Sequence, residues 1–325
     1  MTSLGYLQIT RKDRDAEVDF EAAKKYIDEL RENNFTGVLF TGGEPTLSED
    51  LPRLLDYCRE SGFIHKLVTN GQRLADAAFL DMLVQNGLDH VCMSFHSCSP
   101  EVQNYLTQNP ESFDNAMAAL ENMSRYRNLS VDILTTINRP NSGQLCDTVR
   151  FLLHHFPFIA HFTWNNLDPR RNRTEEFPEV IPRLYDFEIT LKRAMDCLKR
   201  RRKPFQVERV PLCYMEGHEH LCTETRTIVL DNKRLTSFLD ERGCMLWEDY
   251  RHGKGEACGV CTVEPVCAGL HEMDISYSSD ELYPLFIDRE TVIRRIKRTA
   301  NELYAGGAVT AQPQPAAGNE QPSSE

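Results

Sequence analysis

No cysteine precedes Cys58, and no apolar run approaches the ~18 residues that cross a bilayer. The start, "MTSLGYLQITRKDRD", lacks the basic, apolar and small-residue regions of a signal peptide. Together these absences predict a cytoplasmic protein with no membrane partner. Positive charge is also in deficit. Lys and Arg number 37 against 49 Asp and Glu, a net charge of −12, which argues against a general nucleic-acid partner. Eleven cysteines, an odd count without a secretion signal, argue against a disulfide framework.

What is present is a chain of 325 residues, 41% hydrophobic and 26% charged, enough for a large core and two domains. Short β-rich runs alternate with amphipathic helical runs. "GVLF" (37–40), "HKLVT" (65–69), "HVCMSF" (90–95), "SVDILTTI" (130–137) and "AHFTW" (160–164) read as strands. They are largely apolar on both faces, as in a parallel sheet covered by helices. Helices begin near Asp19, Ser48, Ser99, Ser112 and Ser142, whose side-chain oxygens can cap free amides. A long helix at 183–200 ends in the basic run 199–203, which offsets its macrodipole. This βα alternation predicts an α/β fold, a partial TIM-like barrel. The expected domains are a barrel over 1–204, a Cys-rich extension over 205–285, a helix over 286–304 and a disordered tail over 305–325.

Parallel βα folds bind ligands at the carboxyl ends of their strands. Five strand exits here are polar: Thr41-Gly42-Gly43-Glu44-Pro45, Thr69-Asn70-Gly71, Ser94-Phe95-His96-Ser97, Thr136-Ile137-Asn138-Arg139 and Asn165-Asn166. Loops are polar anyway, but five such exits on one rim favour a polar small-molecule site. Gly42 and Gly43 leave the backbone open to a ligand. Pro45 withholds a ladder donor. Glu44 is then placed to accept from an ammonium group. His96 faces the expected cavity, as a ligand contact or as a hydrogen-bonded structural residue. Asn165, Asn166, Asp168 and Arg170 line the substrate face or cap a loop.

"FTGGEPTL", then "VTNG", then "MSFHS", resembles the radical S-adenosylmethionine (SAM) superfamily over roughly residues 15–170. The resemblance implies a partial (βα)6 barrel. It assigns Glu44 to the SAM amino group and Gly42 and Gly43 to its methionine moiety, with Pro45, Asn70, Ser94, His96 and Asn138 lining the site. In that family three cysteines, Cys-x3-Cys-x2-Cys, follow the first barrel strand and hold a 4Fe-4S cluster that cleaves SAM to a 5′-deoxyadenosyl radical. That pattern is absent here, and no first strand is evident ahead of helix 19–33. The reading favours a start placed too far downstream over true loss of the cluster.

Cys258-x2-Cys261-x5-Cys267 places three thiols in ten residues, a metal-binding signal. It resembles the SPASM or twitch extensions that follow radical SAM barrels, with His271 where their next cysteine stands. One auxiliary 4Fe-4S cluster is expected, with zinc as the second choice. Cys213 ranks first as fourth ligand, ahead of Cys222, Cys244 and His271. The remaining cysteines read as packing. By analogy the expected substrate is a peptide or protein, and the expected reductant of an active form a ferredoxin or flavodoxin. The rival reading is a degenerate barrel serving as a scaffold or binding module.

Overall fold

The computed structural model describes residues 4–10, 18–170, 174, 176–231, 234–237, 244–247 and 251–306. Seven parallel strands carry the barrel: β1 (Leu4–Thr10), β2 (Gly37–Gly42), β3 (Ile64–Thr69), β4 (His90–Ser94), β5 (Ser130–Ile137), β6 (His161–Asn166) and β7 (Phe205–Glu208). They lie side by side in chain order, and the curled half-barrel they form is the predicted α/β architecture. A hairpin, β8 (Arg234–Ser237) and β9 (Cys244–Trp247), extends the sheet beyond β1, with β8 parallel to β1.

β1 corrects the expectation that the barrel lacks its first strand. "LGYLQIT" pairs with β2 from Leu4↔Gly37 to Thr10↔Gly42. Its glycine, glutamine and threonine hide an alternating pattern in which Leu7 and Ile9 are fully buried. Gly5 is required there, because a Cβ would stand 2.3 Å from the Leu30 side chain. β7 makes a second correction. It pairs with β6, so the barrel sheet runs beyond residue 204.

The helices are α1 (Phe20–Glu32), α2 (Leu51–Glu60), α3 (Ala77–Gln85), α4 (Pro100–Thr107), α5 (Ser112–Met123), α6 (Leu145–His155), α7 (Leu184–Arg200), α8 (Thr223–Leu230) and α9 (Arg289–Gly306). Asp19 and Ser99 cap α1 and α4 as predicted, accepting from Ala22 N and Val102 N. α2 starts two residues later than a Ser48 cap predicts. Asp50 sits at its N-cap but gives its carboxylate to Phe20 N of α1 and to Arg53, tying two helix starts together.

One face of the sheet packs against helices through Leu67, Val91, Val131, Ile133 and Phe162. The other face is polar. There Cys92 pairs with Asp132, and Asp132 with His161. Asp132 is 4% exposed and accepts from the Lys66 ammonium and from His90 Nε2 at 2.9 Å. Burial opposes its ionisation, but the His90 hydrogen bond and the Lys66 charge outweigh it and hold its pKa well below the usual carboxylate range. Burial also pushes His161 down to about 4, so this imidazole is neutral at pH 7.

Replacing Asp132 by Asn should therefore destabilise the fold by about 3–5 kcal/mol, since it strands a buried ammonium. Because the folded pKa is depressed, the contribution is complete above the ordinary carboxylate value and is lost as pH falls toward the folded one. Urea midpoints should show a constant gap from pH 5 to 8, narrowing in strong acid. Equal midpoints at pH 7 would refute the role.

Candidate active site

The carboxyl end of β2 is built around contact with β1. Gly42 has φ +131°, and a Cβ there would lie 2.3 Å from Thr10 O. Gly43 N donates to that carbonyl at 2.9 Å, and Glu44 N donates to Thr10 Oγ1 at 3.0 Å. The first demand on Gly42 is thus the approach of β1. Glu44 then caps a short 3-10 turn, Pro45–Leu47. It is 8% exposed.

Four donors hold its carboxylate. Oε1 accepts from Thr69 Oγ1 at 2.6 Å, Thr46 Oγ1 at 2.7 Å and Thr46 N at 3.1 Å. Oε2 accepts from Asn70 N at 2.7 Å. Each carboxylate oxygen offers about two lone-pair sites, so Oε1 is saturated. Oε2 keeps one direction for a further donor, such as a ligand ammonium. Arg73 also reaches across to Thr46 O and holds the turn. Thr10, Thr46 and Arg73 escaped the sequence reading, and Thr69 entered it only as part of a polar strand exit. Their signal was the run of hydroxyl residues at strand ends flanking the motif.

The other predicted residues fall in two groups. Asn70 joins Glu44 through its backbone, while its side chain accepts from Gln72 N in a local turn. Thr69 pairs with Met93, which brings Asn70 alongside half-buried Ser94. His96 bridges β4 and β5. Its ring Nδ1 accepts from Thr136 N at 3.3 Å, so the neutral ring carries its proton on Nε2. Asn138 spends its side chain on Thr136 O, and Asn141 ties the same turn to His96 O. At the β6 exit, Asn166 is fully buried, and its Nδ2 has no partner. The unspent acceptor direction on Glu44 Oε2 fits a ligand ammonium such as that of SAM.

A SAM-cleaving cluster does not fit the donor set. β1 is the strand after which the family's three cysteines would come, so that position lies inside the chain, between β1 and α1. The intervening sequence is "RKDRDAEVD", with no cysteine; residues 11–17 of it lie outside the described residues. The next thiol along the chain, Cys58, is buried in α2, and burial pushes it up to about 12.

The later thiols lie on or next to neighbouring turns. Cys258 lies on one short 3-10 turn, Glu256–Val260, Cys261 and Cys267 directly follow two such turns, and all three are half-buried. Cys213 is buried, and burial, with the nearby Cys267 and Cys258 adding to it, pushes its thiol up to about 12. Burial also raises Cys267, against the amides of Leu212 and Gly269 and the ammonium of Lys254. Gly269 N donates to its sulfur at 3.3 Å, and Leu285 N donates to Cys261 Sγ at 3.4 Å. A cavity of about 540 Å³ adjoins Cys258 and Cys261, with Lys254 and Arg289 on its wall.

A zinc ion needs its ligands around one point. Among the described residues no three His, Cys, Asp or Glu side chains meet that demand.

Two alternative ligands are engaged elsewhere. Cys222 donates to Glu224 Oε2 at 3.4 Å. His271 Nε2 meets Asp168 Oδ1 at 3.3 Å. The side chain of Cys244, in β9, lies outside the described residues. The Asp168 contact joins the β6 exit to the extension. Burial opposes the Asp168 charge, but His271 and Arg209 overcome it and lower its pKa to about 2. Arg170 pairs with Glu272, and Tyr277 donates to Leu167 O at 2.7 Å.

Comparison with known proteins agrees with this architecture. The sequence profile of the Radical SAM superfamily matches residues 6–152. The chain is 32% identical over 136 residues to Fe-coproporphyrin III synthase of Methanosarcina barkeri, covering 42% of this chain and 33% of that protein. It is 24% identical over 257 residues to 7,8-dihydro-6-hydroxymethylpterin dimethyltransferase of Methanocaldococcus jannaschii, covering 70% of this chain and 49% of that one. The chain therefore spans between a third and a half of the length of these relatives. In fold it resembles native anSMEcpe with bound AdoMet and Cp18Cys peptide, with a TM-score of 0.59, 15% identity, and coverage of 95% of this chain and 99% of that one. Among the described residues no helix is long and apolar enough to cross a membrane. The likeness to the radical SAM superfamily therefore rests on the barrel segment, residues 6–152.

Proposed function

We propose that this chain binds SAM at the Glu44 rim but does not itself cleave it reductively, and that its C-terminal region holds an auxiliary 4Fe-4S cluster. The observation that carries this reading is the pairing of an intact Glu44 network with a thiol-free sequence between β1 and α1. Glu44 Oε2 would take the ammonium of SAM. Gly42 and Gly43 would flank its methionine chain, with Pro45, Asn70, Ser94, His96 and Asn138 nearby. Cys213, Cys258, Cys261 and Cys267 would hold the cluster, which supplies electron transfer when bound. The amides of Leu212, Gly269 and Leu285 aimed at these sulfurs stabilise thiolates.

A second reading keeps catalysis. Likeness over nearly the full length of a peptide-bound structure favours a barrel mouth that takes a peptide or protein. Reductive cleavage of SAM would then belong to a form of the protein carrying the three-cysteine loop, with ferredoxin or flavodoxin as electron donor. Formation of 5′-deoxyadenosine by this chain, after anaerobic reconstitution and with dithionite, would overturn the first reading. The first reading expects none above the level without protein.

SAM binding is testable by calorimetry. The wild type should bind in the micromolar range. Thr69→Val removes one donor to Oε1 and should weaken binding several-fold, while Glu44→Ala should weaken it at least tenfold. Wild-type affinity in both folded variants would remove Glu44 from the site.

The metal centre has its own test. Reconstituted wild type should carry about four irons per chain. The double variant Cys258→Ser/Cys261→Ser should lose them and the accompanying visible absorption. Stoichiometric zinc without iron under those conditions would replace the cluster assignment.

A further inference from the structure

A second cavity, of about 640 Å³, opens at the amino ends of β3, β4 and β5. β3 is six residues long. At ~3.3 Å per residue that places the cavity roughly 20 Å from the Glu44 network, at the opposite end of the barrel. Its volume lies in the range of small-molecule sites.

Two chemistries meet in it. Phe63, Leu88 and Leu129, each under 10% exposed, form an apolar floor. Arg59, Arg125 and Arg127 stand exposed around it. Asp89 is the one acidic side chain of the lining. Three guanidinium groups against one carboxylate is a local reversal in a chain of net charge −12. Arg59 is engaged by Asp56. Arg125 and Arg127 form no ion pair among the described residues, so their charge is unspent. Backbone shape supports the arrangement. Gly87 has φ +104°, and a Cβ there would lie 2.9 Å from Arg59 Cδ, so the glycine lets the arginine stem lie across the turn before β4.

We propose that this cavity binds an amphipathic anion, with its apolar body on Phe63, Leu88 and Leu129 and its carboxylate, phosphate or sulfonate on Arg125 and Arg127. An apolar body alone would leave the guanidinium groups unused. An inorganic anion alone would leave the floor wet. The site shares no residue with the Glu44 rim, and the proposal does not depend on SAM binding.

The fluorescent anion 1-anilinonaphthalene-8-sulfonate provides the test on the folded full chain. One saturable site is expected. Decanoate should displace the dye at concentrations at least tenfold lower than decanol, a measurement that needs no variant. Arg125→Ala/Arg127→Ala should weaken dye binding at least tenfold without shifting the urea midpoint. Ile64→Trp, at a half-exposed position on the lip, should block it. Equal displacement by decanol and decanoate, or wild-type affinity in the folded double variant, would overturn the proposal.

Discussion

The barrel mouth depends on one buried carboxylate. Glu44 gathers donors from its own turn and from the end of β3, while its amide is fixed by Thr10 at the end of β1. Three neighbouring strand ends are thereby locked in one geometry. Ionised oxygens that accept charge-assisted hydrogen bonds in a dry setting are strong anchors. The same carboxylate would be costly if its donors were removed. The glycines belong to this arrangement, because the closeness of β1 to β2 leaves no room for a Cβ at Gly42. What remains for a ligand is narrow and directional: one acceptor direction on Oε2.

The Cys-rich region is not an independent appendage. Asp168 and Arg170, just beyond β6, meet His271 and Glu272, and the Tyr277 hydroxyl reaches the same loop. On the other side β8 joins the free edge of β1. Any substrate entering above β6 would therefore meet the extension as well as the barrel. Cys267 stands four residues before His271, so the thiol segment and the barrel rim share one short stretch of chain.

Much of the barrel was legible because its strands are apolar on one or both faces and its helices carry side-chain caps. β1 was not, because Gly5 and Gln8 interrupt a short alternating strand whose glycine serves Leu30 rather than a turn. The start of α2 misled for a different reason: the carboxylate of Asp50 serves α1, a tertiary demand that local propensity does not contain. At the site, the motif residues were legible by type and place. Their partners were not, since Thr10, Thr69 and Arg73 reach Glu44 or its turn from separate elements. His271 looked like a spare ligand because sequence spacing does not reveal Asp168, 103 residues away.

The internal position of the thiol-free segment changes how the glycine-glycine-glutamate-proline sequence should be weighed. In this fold that sequence has architectural work independent of any cofactor: Gly42 admits Thr10, Glu44 joins two strand ends, and Pro45 starts the turn that Thr46 and Arg73 complete. Removing the metal ligands between β1 and α1 would touch none of those bonds. The geometry of the mouth is therefore set by bonds that involve no thiol. The motif speaks for the shape of a binding rim, and the chemistry carried out there must be read from the thiols.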